Sequence, residues 1–146
     1  MLRRAGLQAL RALLELAQEP HRWRSVNEIA AAQNLPAPML EQLLLQLRRA
    51  DLVEARRGRL GGYRLQREPA KIAVAEVLSA VGAEIALIHG ETEEPNLAEQ
   101  QVLRSMARRL QRAMERELMQ FNLEELLFDL RSCRESLSGT GGLILG

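Results

Sequence analysis

Leu7, Leu10, Leu13, Leu14 and Ala17 recur three or four residues apart. That spacing lays apolar side chains along one side of an α-helix, and it predicts a first helix over residues 2–18. Glu19-Pro20 ends the helix, because the residue before a proline is pushed out of helical geometry. His21-Arg22-Trp23-Arg24 forms a short linker, in which Trp23 is expected to anchor the core between the first two helices. Ser25-Val26-Asn27-Glu28 has the pattern of a capping box, with serine and glutamate side chains each satisfying the other's backbone amide. A second helix follows over 25–33, turning Val26, Ile29 and Ala30 inward, and Asn34 suits its C-terminal turn.

Leu35-Pro36-Ala37-Pro38 makes a tight turn, and Pro38 is tolerated at the start of a helix, where its missing amide is not needed. Leu40, Leu43, Leu44 and Leu47 then form the buried stripe of a third helix over 38–50, with Glu41, Gln42, Gln46, Arg48 and Arg49 directed elsewhere. Two short helices, a tight turn and a polar outer face on the second make a helix-turn-helix. Beyond it, 52–56 and 63–66 alternate as strands. Between them Arg57-Gly58-Arg59-Leu60-Gly61-Gly62 supplies three glycines for a tight hairpin and arginines with no apolar role. The segment 56–63 is therefore read as a basic wing.

Ile72, Val74, Val77, Leu78 and Val81 predict a short fourth helix over 73–81, followed by an acidic loop over 82–97. A long helix over 97–119 carries a coiled-coil-like seam of Leu103, Ala107, Leu110, Met114 and Leu118. Asn122 caps a last helix over 123–132, and the Gly- and Ser-containing tail is read as loose. The fold class is mainly α: a winged helix-turn-helix domain (1–81) with a small two-stranded β-wing, an acidic loop (82–97), dimerisation helices (98–132) built on a long C-terminal helix, and a flexible tail (133–146).

Charge sharpens this reading. The net charge is only +1, but residues 1–70 hold 12 arginines against 7 acids, and residues 71–146 hold 8 basic residues against 12 acids. A basic front half suits a polyanion, since arginines that neutralise phosphates release counterions. Double-stranded DNA is the expected partner. Pro38, Met39, Glu41 and Gln42 are the candidate DNA contacts at the start of the third helix: Gln42 is suited to pair with adenine, and Glu41 to accept from a cytosine amino group. Arg48 and Arg49 are further candidate DNA contacts, and Arg57 and Arg59 at the wing tip are the candidates for phosphates or the minor groove. Arg56 is a weaker candidate, and Arg64 and Arg67 are expected to touch phosphates or acidic neighbours.

Other chemistry is sparse. The single cysteine, Cys133, excludes an intramolecular disulfide and is expected to be a packing residue. His89 in the acidic loop is expected to be solvated rather than a metal ligand. Nucleophile elbow, P-loop, paired metal-spaced histidines and GxGxxG are all absent, so no enzyme, no metal and no cofactor is expected. With no long apolar run and no secretory signal, a cytoplasmic location and no membrane partner are expected.

The combination of Glu28-Ile29-Ala30, the run 40–53 from Leu40-Glu41-Gln42 to Asp51-Leu52-Val53, the wing residues Arg57-Gly58 and Gly61-Gly62-Tyr63-Arg64-Leu65, and Ile72-Ala73-Val74-Ala75-Glu76-Val77 resembles the Rrf-two family of bacterial winged-helix regulators. The resemblance covers most of the chain. It implies a dimeric transcription factor, with the long helix crossing between subunits and helix three in the major groove. Many members hold an iron–sulfur cluster through three cysteines in the loop before the long helix, and some add a histidine ligand. Here that loop has no cysteine, and Arg104 stands at the histidine position, so the family's cluster sensing is not expected. Two alternatives stay open: control by a protein partner docking on the C-terminal half, or a sensor with an unusual cluster or small ligand at 82–97.

Overall fold

The structure is a computed structural model that describes residues 3–87 and 97–145, with side chains described through residue 139. The elements follow in the order α1 (Arg4–Ala17), α2 (Val26–Gln33), α3 (Ala37–Arg49), β1 (Val53–Arg56), β2 (Gly62–Leu65), a 3-10 turn (Pro69–Lys71), α4 (Val74–Ala80), α5 (Ala98–Gln120) and α6 (Leu123–Leu145).

α1 is the central post. Its Ala9, Ala12, Leu13 and Leu16 are fully buried, and the helix packs against α2, α3, α4, α6 and β2. α3 contributes Leu40, Leu43, Leu44 and Leu47 to the same core, the stripe expected from its spacing. α2 starts on the expected capping box: the Glu28 amide donates to Ser25 Oγ at 3.1 Å and the Ser25 amide to Glu28 Oε1 at 3.4 Å. It ends at Asn34, which adopts the left-handed conformation at φ 52°. Asp51 does the same at φ 59°, breaking α3 and sending the chain directly into the first strand of the wing.

α5 contributes no buried residue, and α4 is the main element of the body it packs against. α6 behaves differently. The Asn122 side chain caps it, accepting from the Glu125 amide at 2.9 Å, and Leu123 and Leu127 enter the core. A short antiparallel bridge pins this corner, with the Val74 amide donating to the Phe121 carbonyl and the Leu123 amide to the Ile72 carbonyl, both at 2.9 Å. The compact body therefore includes residues beyond the boundary at 81 expected from sequence.

Two further expectations are corrected here. The last helix does not stop at 132 but runs on through Leu145. Glycines at 139, 141 and 142 disfavour a helix by about 1 kcal/mol each, yet no proline interrupts its hydrogen bonds, and Arg134 ties it to α1 by donating to Gln18 Oε1 at 3.1 Å. Cys133 on this helix is exposed rather than packed. His89 lies outside the described residues.

The α2 cap generates a pH prediction. The Glu28 carboxyl is held below the usual carboxylate range, first by the Ser25 amide and then by the Ser25 hydroxyl and the Arg24 guanidinium, against a smaller burial penalty. A carboxylate with a depressed folded pKa stabilises above its unfolded value of about 4.3, and that contribution is lost as pH falls through the folded pKa. The melting-temperature gap between the native chain and Glu28→Gln is therefore expected to be flat near neutral pH and to shrink as pH drops below about 4. A thermal-melt series across pH checks this.

Candidate nucleic-acid interface

The wing is built from its glycines outward. β1 and β2 pair antiparallel, with Glu54 opposite Arg64 and Arg56 opposite Gly62. Gly58 at φ 106° opens the turn, and the Gly61 amide closes it on the Gly58 carbonyl at 3.1 Å. A Cβ on Gly61 would overlap the Arg56 carbonyl, and one on Gly62 would overlap the Arg24 carbonyl. Gly62 is also at φ 134°. Both positions require the absence of a side chain because backbone passes directly over them.

The backbone that crosses Gly62 is the linker before α2. Arg24 pairs with Tyr63 in a two-way bridge, its amide donating at 2.9 Å and its carbonyl accepting at 2.7 Å. The linker thus acts as a third, very short strand on the wing. The Arg24 side chain, 11% exposed, turns the other way to Glu15 of α1 at 3.2 Å and Glu28 of α2 at 3.2 Å. Glu15 also accepts from Gln33 at 2.7 Å, and Gln33 accepts from Arg11. One arginine therefore locks the wing to the two helices behind it.

Trp23 completes the joint, and its role differs from the expected core anchor. It is half-buried, with the guanidinium of Arg56 4.6 Å and that of Arg64 4.3 Å from its ring centroid. Arg56 also donates to the Leu60 carbonyl at 2.6 Å, and Arg64 pairs with Glu54 across the strands. Both of these wing arginines are structural. A polar linker with a single tryptophan gave no periodic signal for this role; the cue would have been the arginines at 56 and 64, which point to one face of a two-stranded ribbon. Arg67 likewise pairs with Glu76 at 3.1 Å, so Arg64 and Arg67 both lie against acidic neighbours within the chain.

The remaining candidates divide cleanly. Arg48 and Arg49 at the end of α3, and Arg57 and Arg59 in the wing, are exposed, and none forms an ion pair among the described residues. Pro38, Glu41 and Gln42 are exposed on the first turns of α3. Met39 is half-buried and packs against the core, which takes it out of the freely exposed set. What emerges is a helix with exposed polar groups at its start, followed by a hairpin tied to the body and carrying cations with no ion-pair partner among the described residues. Such an arrangement can address base edges and phosphates together.

A family profile described as "Rrf2: Iron-dependent Transcriptional regulator" matches residues 2–129. The chain belongs to the Rrf2 family. It is 38% identical over 125 residues to slr0846 of Synechocystis sp., a protein assigned to the HTH-type transcriptional regulators, covering 85% of each chain. Among solved structures it resembles CymR, the global cysteine regulator of B. subtilis, with a TM-score of 0.72, 31% identity, and coverage of 87% of this chain and 95% of that one. It also resembles T. potens IscR, with a TM-score of 0.68, 29% identity, and coverage of 89% and 88%. The winged-helix fold and the assignment as a DNA-binding transcriptional regulator follow from this membership.

The iron in the family's description meets a chain that lacks the ligands for a thiolate-held cluster. This Rrf2 protein has one cysteine, exposed on α6, and no group of three or more His, Cys, Asp or Glu among the described residues is arranged to hold a metal. A cluster bound by three thiolates does not fit. No helix among the described residues is long and apolar enough to cross a membrane.

The joint yields a prediction. Trp23→Ala removes two cation–π contacts worth about 0.5–1 kcal/mol each at exposed sites. The helical far-UV signal is expected to persist, while urea denaturation reads about 1–2 kcal/mol less stability and the wing amides exchange faster in hydrogen-exchange measurements. Gly62→Ala is expected to produce the larger loss of wing protection, because there backbone meets backbone.

Proposed function

We propose that this protein is a non-enzymatic, cytoplasmic regulator that binds double-stranded DNA sequence-specifically as a homodimer through α5. α3 enters the major groove with Pro38, Glu41 and Gln42 near base edges and Met39 supporting its first turn from behind. Arg48 and Arg49 contact phosphates. The wing sets Arg57 and Arg59 on the flanking backbone or minor groove. The observation that carries the reading is the partition of arginines: those that build the wing are paired or stacked, and those at its tip and at the end of α3 are not.

Dimerisation through α5 is supported by its exposed apolar stripe. Leu103, Met106 and Leu110 succeed one another at intervals of three and four residues and are 58%, 52% and 53% exposed. A stripe of that spacing is the seam of a helix pair, and two copies place two α3 helices on one duplex.

Fluorescence anisotropy against the protein's own promoter region tests the DNA reading, and binding no tighter than to random duplex would sink it. Arg59→Ala is expected to weaken binding evenly across sequences and lower the salt slope by about one, whereas Gln42→Ala is expected to cost about 1–3 kcal/mol at a single base position. Leu110→Glu places a charge in the proposed seam. Sedimentation equilibrium is expected to read a monomer whose melting temperature stays close to that of the native chain, with operator affinity reduced by at least about tenfold because one half-site is lost.

A further inference from the structure

Between α4 and the C-terminal half of α5 lies a cavity of about 430 Å³, within the size range of small-molecule sites. Leu78, Ile85 and Leu118 give it an apolar lining, and Glu76, Glu84 and Glu115 open onto it. Their charges are unequally compensated. Glu76 is paired with Arg67 at 3.1 Å. Glu84 accepts from the Ser79 hydroxyl at 3.1 Å, and Glu115 accepts from the Gln111 amide at 3.0 Å. Neither Glu84 nor Glu115 has a cationic partner among the described residues.

An apolar hollow edged by two uncompensated carboxylates selects a definite chemistry. An anion is repelled. A neutral apolar molecule gains burial but nothing from the charges, and a small inorganic cation gains nothing from the apolar lining. We infer that this cavity binds an amphipathic organic cation, an amine or quaternary ammonium carrying an apolar body. The apolar part lies against Leu78, Ile85 and Leu118, and the cationic head sits toward Glu84 and Glu115.

The position gives the site a regulatory consequence, which rests on the dimeric DNA-binding reading above. α4 is the main contact between α5 and the DNA-reading body, so a ligand wedged between the two helices alters the angle at which the body leaves the dimer helix. That angle sets the spacing of the two α3 helices. By linkage, a ligand that changes DNA affinity is itself bound differently by the DNA complex, and by the same factor.

Calorimetry and thermal shift on the full chain test the site with three probes that share one apolar body: benzyltrimethylammonium, benzyl alcohol and benzenesulfonate. The expected result is one cation bound per chain with a raised melting temperature, and little or no binding of the alcohol and sulfonate. The double variant Glu84→Gln/Glu115→Gln is expected to weaken cation binding about tenfold, the effect of losing two partly exposed charge contacts. Ala75→Phe, which narrows the cavity from α4, is expected to abolish binding while leaving a folded dimer. Equal binding of the three probes, no binding of the cation at millimolar concentration, or indifference to both variants overturns the inference. A monomeric but folded Ala75→Phe protein also overturns it, because the cavity then belongs to a second copy of the chain. A protein that takes up the cation but binds no operator keeps the site and fails the DNA reading instead.

Discussion

Two adjacent residues, Trp23 and Arg24, hold the wing hairpin against the helical body, and the placement of the wing depends on them. Arg24 contributes its backbone to the wing and its side chain to α1 and α2. Trp23 supplies the flat surface on which two wing arginines lie. A two-stranded hairpin alone is marginal in water. Here it gains a third backbone partner and an ion pair that is 11% and 13% exposed, so its tip is carried on a stiff base. Replacing one partner of such a pair leaves the other charge poorly solvated, which makes this short linker more consequential than its length suggests.

That stiffness explains the two populations of arginine. Arg24, Arg56, Arg64 and Arg67 are engaged by groups of the chain itself, carboxylates, carbonyls or the indole. Arg48, Arg49, Arg57 and Arg59 form no ion pair among the described residues. On the proposed reading, a wing already tied to the body presents Arg57 and Arg59 to a duplex with less conformational entropy to lose on binding. Four of the front half's acidic residues, Glu15, Glu19, Glu28 and Glu54, pair with arginines of the same half.

Most of this architecture was legible in the chain. Leucines at helical spacing located α1, α3 and α5, Ser25 and Glu28 located the start of α2, and the glycines of the wing located its turn. What the pattern could not reveal is tertiary. Trp23 carries no periodicity, and an isolated aromatic is read most simply as core; only the pairing of Arg24 with Tyr63 brings it beneath the wing. Leu123 and Leu127 looked like part of a dimerisation arm because they follow the long helix, yet the bridge between Ala73 and Asn122 folds them back into the first domain. The extent of α6 was misjudged because glycine content argued for a loose end, whereas the helix runs on through Leu145. At the interface the candidate residues came from composition and position, and the structure separated those already occupied from those still available.

The return of α6 to the body also bears on how the molecule is made. Leu123 and Leu127 close the core around α1, so the winged-helix body is completed by residues synthesised after the helix proposed to join two subunits. Contacts this distant form late, since a long loop must close before they stabilise anything. On a ribosome emitting the chain from its N-terminus, α5 emerges while the core beneath it still lacks its final piece. Completion of the winged-helix core and any pairing through the proposed α5 seam therefore fall in the same interval of biogenesis, and a nascent chain exposing an unfilled core beside an apolar stripe is the stage most open to aggregation.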